Sequence, residues 1–157
     1  MTSNRALALT LALLPGVALA QRTAIEVGSP NFQPLPIAVA PFRPEPGAQA
    51  EAAEAAQVVR GDLALSGLFD VLDPRSFLAD PAEALAAPAI RFSQWSDIGA
   101  EGLAKALVRK GADGLTGELH LYEVRAAKEV LLKEHRAPDA RRLGHSIADD
   151  IVQYYTR

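Results

Sequence analysis

The stretch LPIAVAPFRPEPGAQAEAAEAAQVVRGDLALSGLFDVLD, residues 35–73, decides the fold, because it carries two strands and the helix between them. Leu35 to Ala40 reads as a short buried strand: Ile37 and Val39 are β-branched, and Pro36 and Pro41 bound the run. Phe42 follows at its end. Pro44, Pro46 and Gly47 make a loop, and Glu51 and Glu54 then stand where carboxylates favour a helix N-terminus. The spacing predicts a helix from about Ala50 to Ser66, with Ala52, Ala56, Val59 and Leu63 recurring at threes and fours on one face. Ser66-Gly67 stops it, since glycine suits the left-handed turn past a helix end. Leu68 and Phe69 can then fold back on the core before Asp70 to Asp73 forms a second strand.

Working outward towards the C-terminus, Arg75 to Ala89 has no period and reads as an irregular connection with room for one helical turn. Ser93 to Gly102 is expected to carry the sole tryptophan, Trp95, into the core on a short helix or turn capped by Ser93. Leu103 to Arg109 and Leu115 to Val124 are strands joined by a hairpin at Asp113-Gly114. In the second of them Leu119 and Leu121 share one face; Thr116, Glu118, His120 and Tyr122 share the other, which is expected to be the wetter. A further strand covers Lys128 to Glu134. Pro138-Asp139 opens a last helix whose apolar stripe is Leu143, Ile147, Ile151 and Tyr154 or Tyr155. The order is that of an α+β (α/β) domain: a small mixed β-sheet with two main helices packed on one face. Its expected core comprises Ile37, Val39, Phe42, Val59, Leu63, Phe69, Trp95, Leu119, Leu121, Leu143, Ile147 and Ile151.

Towards the N-terminus, Met1 to Arg5 is short and positive, Ala6 to Val17 is uncharged and apolar, and Ala18-Leu19-Ala20 ends in small residues. This is the pattern of a cleavable secretory signal over residues 1–20, with cleavage after Ala20. The protein is therefore expected to be exported and periplasmic, with no membrane anchor. Residues 21–34 read as a flexible arm with one strand-like patch, Ala24-Ile25-Glu26-Val27, followed by Gly28. The absence of cysteine excludes both a disulfide framework and a lipid anchor at the cleavage site. Taking Arg5 from the 16 Lys and Arg leaves 15 against 19 Asp and Glu, four net negative charges. Nucleic acid and anionic membrane are poor partners for such a surface.

Candidate chemistry is sparse. His120, His135 and His145 sit on three different elements without metal-ligand spacing, so no metal or other cofactor is expected. Asp97 with Glu101, and Asp149 with Asp150, read as solvated helix positions more readily than as a catalytic pair. No catalytic residue is assigned. A small exported hydrolase using His120 or His145 with a carboxylate is the alternative reading. Lys133, His135, Arg136, Arg141 and Arg142 form the one basic cluster, read as a solvated hairpin tip beside a helix start.

Four blocks, in order, resemble the N-terminal domain of TolB, the periplasmic component of the Tol-Pal envelope system. They are Ile25 to Phe42, Asp62 to Asp73, Phe92 to Leu103 and Leu143 to Val152. The resemblance spans nearly all of residues 21–157. It implies a small α/β module with two helices against a sheet, and a non-enzymatic adaptor that supports outer-membrane integrity and cell division. It further implies that the segment after the signal binds the C-terminal domain of TolA, here through Ala24, Ile25, Glu26, Val27 and Gly28, with Ile25 and Val27 as apolar anchors. The family's C-terminal β-propeller, which holds the lipoprotein Pal, has no counterpart in these residues, and Pal is not an expected partner.

Overall fold

The computed structural model describes residues 32–157; the expected signal and residues 21–31 of the arm lie outside that range. β1 (Leu35–Val39) and β2 (Arg43–Pro44) both run parallel to β4 (Gly102–Gly111), with Ile37 opposite Gly102 and Arg43 opposite Leu107. They behave as one strand interrupted around Pro41, which has no N–H to give to a ladder. The loop expected over Arg43 to Ala50 thus begins with two paired residues.

Between β1 and β3 (Phe69–Val71) lies α1 (Gln49–Leu65), and β3 pairs parallel with β1, Leu35 opposite Phe69. Ser66 and Gly67 end α1 as the sequence implies: the Ser66 hydroxyl donates to the Leu63 carbonyl at 2.6 Å, and Gly67 takes φ +68°. The connection that follows contains single 3-10 turns at Pro74–Ser76 and Ala87–Ala89 and then α2 (Phe92–Asp97). Ser93 lies inside α2, not at its cap. The capping position is Arg91, which makes no side-chain capping bond.

β4, β5 (Gly114–Glu123) and β6 (Lys128–Ala137) form an antiparallel meander, turning first at Gly111 opposite Gly114. Gly114 has φ +125°, a conformation only glycine adopts without strain. α3 (Ala140–Thr156) is capped by the Asp139 carboxylate, which accepts from the Arg142 N–H at 2.8 Å. The sheet order is β3-β1-β4-β5-β6, with β2 attached to β4: an α+β fold on a mixed sheet.

Both long helices cover one face. Ala52, Ala56, Val59 and Leu63 of α1 meet Leu143, Ile147, Ile151 and Tyr155 of α3 over Ile37, Val39, Leu119 and Leu121, with Phe42 and Phe69 at the margins. Each fully buried Leu or Ile here contributes about 1.5–3 kcal/mol of transfer free energy. Two glycines permit the close approach. At Gly144 a Cβ would lie 2.6 Å from Val58 Cβ; at mid-strand Gly117 it would lie 2.8 Å from Leu143 Cδ1.

The opposite face departs from expectation. It is not left wet: Tyr122 has no exposed surface and His120 only 8%. The connection that looked shapeless folds across it, so that Ala79, Ile90, Trp95 and Ala100 pack on Ala38, Ala40, Leu103, Tyr122 and Val124. Trp95 is buried as expected, but in this second core and not beneath the long helices.

Candidate functional site

The arm residues singled out for partner binding, Ala24, Ile25, Glu26, Val27 and Gly28, lie outside the described residues. Their point of attachment lies inside. Phe32 to Pro34 lead without regular structure into β1, and the Leu35 N–H donates to the Leu68 carbonyl at 2.9 Å. Residues 32–34 therefore join the domain beside β3 and the C-terminal end of α1. Leu65, at that end, is 87% exposed.

Each histidine lies beside a carboxylate. His120 lies between two of them: Nδ1 is 2.6 Å from Glu129 Oε1 and Nε2 is 2.9 Å from Glu118 Oε1. A β-bulge at Leu121/Tyr122 shifts the register that puts Glu129 opposite Tyr122. With both ring nitrogens occupied and the ring buried, His120 fastens β5 to β6 and offers no free nitrogen to a substrate. His145 Nδ1 lies 2.5 Å from Asp62 Oδ2, joining α3 to α1 across the helix pair. Arg141 Nε donates towards its other nitrogen at 3.4 Å. His135 sits 3.2 Å from Asp150 Oδ2, and burial, the largest influence, holds it below its ordinary pKa.

The basic cluster of the sequence is not one surface. Strand alternation sends Lys133 and His135 towards α3, where the Lys133 ammonium lies 2.7 Å from Asp150, while Arg136 pairs with Glu134. Asp150 is thus an interior anchor, not a solvated helix carboxylate. Among the described residues no group of three or more His, Asp or Glu is placed to hold a metal ion. No helix among them is long and apolar enough to cross a membrane.

A polar centre that sequence reasoning missed lies under the connection on the second face. Lys105, only 4% exposed, donates to Glu83 Oε2 at 2.8 Å and to the Glu83 carbonyl at 3.2 Å. The same carboxylate accepts from the Trp95 indole N–H at 3.1 Å and from the Arg91 N–H at 2.8 Å. Burial pushes the Glu83 pKa upward, but these donors outweigh it and hold the group below the usual carboxylate range. Desolvation lowers Lys105 against the pull of its partner. Nearby, the Tyr122 hydroxyl donates to the Leu85 carbonyl, and Arg43 Nη2 donates to the Ala82 carbonyl at 3.1 Å. These bonds strap residues 82–91 onto the sheet. Lys105 was visible in sequence as a charge within an apolar strand; Glu83, among alanines and prolines, gave no signal.

Comparison with known proteins agrees with the fold. Residues 23–130 match the family model described as the TolB amino-terminal domain. The Tol-Pal system protein TolB of Anaeromyxobacter dehalogenans is 62% identical over 162 aligned positions, covering 100% of this chain and 37% of the relative. That of Myxococcus xanthus is 43% identical over 94% of this chain and 35% of its own length. The crystal structure of TolB from Acinetobacter baumannii superposes with a TM-score of 0.60 at 26% identity, over 84% of this chain and 29% of that one. The chain spans about a third of the length of the curated relatives it matches. Through this domain, the chain belongs to the TolB family.

Proposed function

We propose that the chain is a periplasmic, non-enzymatic adaptor of the Tol-Pal system that binds the C-terminal domain of TolA through Ala24 to Gly28, and so supports outer-membrane integrity and cell division. The observation that carries this reading is the kinship with Tol-Pal TolB proteins along the whole chain. Residues 1–20, read as a cleavable signal, support the periplasmic location.

The mode of binding follows from the residues. Ile25 and Val27 alternate with Ala24 and Glu26, the pattern of a strand that adds to an exposed sheet edge, where backbone bonds give affinity and alternate side chains set register. The seven residues 28–34 can extend about 25 Å, enough to offer that strand clear of the domain. Behind the arm stands a two-faced core that keeps the attachment point fixed. His120 and His145 support an adaptor more than a hydrolase, since each joins one structural element to another. A photo-crosslinking residue at Glu26 in the exported chain tests this reading. An adduct with the TolA C-terminal domain is expected from that position and not from Glu54 on α1; adducts from Glu54 alone would overturn it.

A further inference from the structure

Beside the Glu83 clasp lies a cavity of about 140 Å³ whose floor is Ala40, Ala79, Trp95 and Lys105 and whose rim includes Pro74, Asp80 and Pro81. Phe77 adds a wall, standing edge-on to Trp95 with ring centroids 5.1 Å apart. A cavity of this size has room for a benzene-sized ring. Its polar feature is Lys105. An ammonium has three N–H donors, and Glu83 accepts two of them; among the described residues no other acceptor is within reach. A nine-tenths buried donor therefore remains for whatever enters.

The charges select the occupant. Glu83 neutralises Lys105 at 2.8 Å, and Asp80 at the rim sets a negative charge against that of Arg43, which also acts on Lys105, so an anion finds no net positive charge. A cation would meet the ammonium. A neutral group with an acceptor oxygen meets neither obstacle. We propose that this cavity is a binding site for a neutral, ring-sized apolar group carrying one acceptor oxygen, with Lys105 as its hydrogen-bond donor. A concave lining of apolar side chains with a few placed polar groups, here Lys105 and Asp80, is the usual make-up of a small-ligand pocket. The site lies on the face away from both long helices.

Trp95 is the only tryptophan and lines this cavity, so its single indole N–H resonance, bonded to Glu83, reports on it. Titrating the full chain with cyclohexanone should move that resonance along a saturating curve, with a Kd on the order of 1 mM for a ligand this small. Benzene, which fits but has no acceptor oxygen, should bind about tenfold more weakly, and benzoate should not bind. Ala79→Leu, which fills the floor, should abolish the cyclohexanone shift. The paired exchange Lys105→Met with Glu83→Gln should keep the cavity and erase the preference for the ketone over benzene. The absence of any saturable shift, equal affinity for cyclohexanone and benzene in the unaltered chain, or unchanged binding in Ala79→Leu would each overturn the assignment. The comparison in the unaltered chain stands even if a variant does not fold.

Discussion

Lys105→Met removes one half of a buried ion pair and leaves the other half in place. The Glu83 side chain is 6% exposed, and without the ammonium its carboxylate keeps only the Arg91 and Trp95 N–H groups, with no countercharge. Breaking a buried pair from one side costs about 3–5 kcal/mol, since the abandoned charge stays desolvated. Against a total stability of about 5–15 kcal/mol that is a large share. Adding Glu83→Gln should recover part of the loss. The single glutamine oxygen can still accept from one of the two N–H groups, Arg91 or Trp95, which now meet different carboxylate oxygens; the methionine fills the lysine's volume, and no charge remains buried. The two changes should therefore couple by about 2 kcal/mol or more. Urea unfolding followed by Trp95 emission reads the midpoint directly, and an unchanged slope shows that stability alone has moved. A loss below about 1 kcal/mol for Lys105→Met, or a double variant as unstable as the two single losses summed, would refute the account of the clasp.

Three further outcomes are expected. Gly144→Ala sets a Cβ 2.6 Å from Val58 and 2.9 Å from the Ala55 carbonyl, so thermal unfolding should show a loss of about 1–3 kcal/mol as the two long helices part. Among the described residues the buried Tyr155 hydroxyl has no hydrogen-bond partner, so Tyr155→Phe should leave the urea midpoint unchanged or raise it. His135 is held below its ordinary pKa by burial, with Lys133 acting in the same sense and Asp150 opposing. The unfolded chain therefore takes up this proton first on acidification. Stability supplied by neutral His135 is present above the ordinary value of 6.5 and is lost as the pH falls below it. The Tm of the unaltered chain should consequently fall more steeply than that of His135→Gln between about pH 7 and pH 5.

Where local pattern and burial agreed, the sequence was sufficient. Leu35 to Ala40, the helix through Val59 and Leu63, the Asp113-Gly114 hairpin and the Leu143-Ile147-Ile151 stripe all appear in place, because each has one apolar face and a turn residue at its end. The second core was hidden for the opposite reason. Residues 75–91 have no period to read; they are held by contacts distant in sequence, such as Glu83 to Lys105 and Tyr122 to Leu85. Alternation alone marked Tyr122 as wet, when only a covering segment decides that. The same limit applies to the histidines. Their carboxylate partners arrive by strand register for Glu129 and by helix packing for Asp62, neither of which a spacing rule contains.

The central claim is that Ala24 to Gly28 recruit the C-terminal domain of TolA and that the folded domain presents them. Isothermal calorimetry with that purified domain, using residues 21–157 and residues 35–157 side by side, measures it most directly. Saturable binding by the longer chain and none by the shorter is the expected result. Equal heats from both would place the contact on the folded domain and contradict the account.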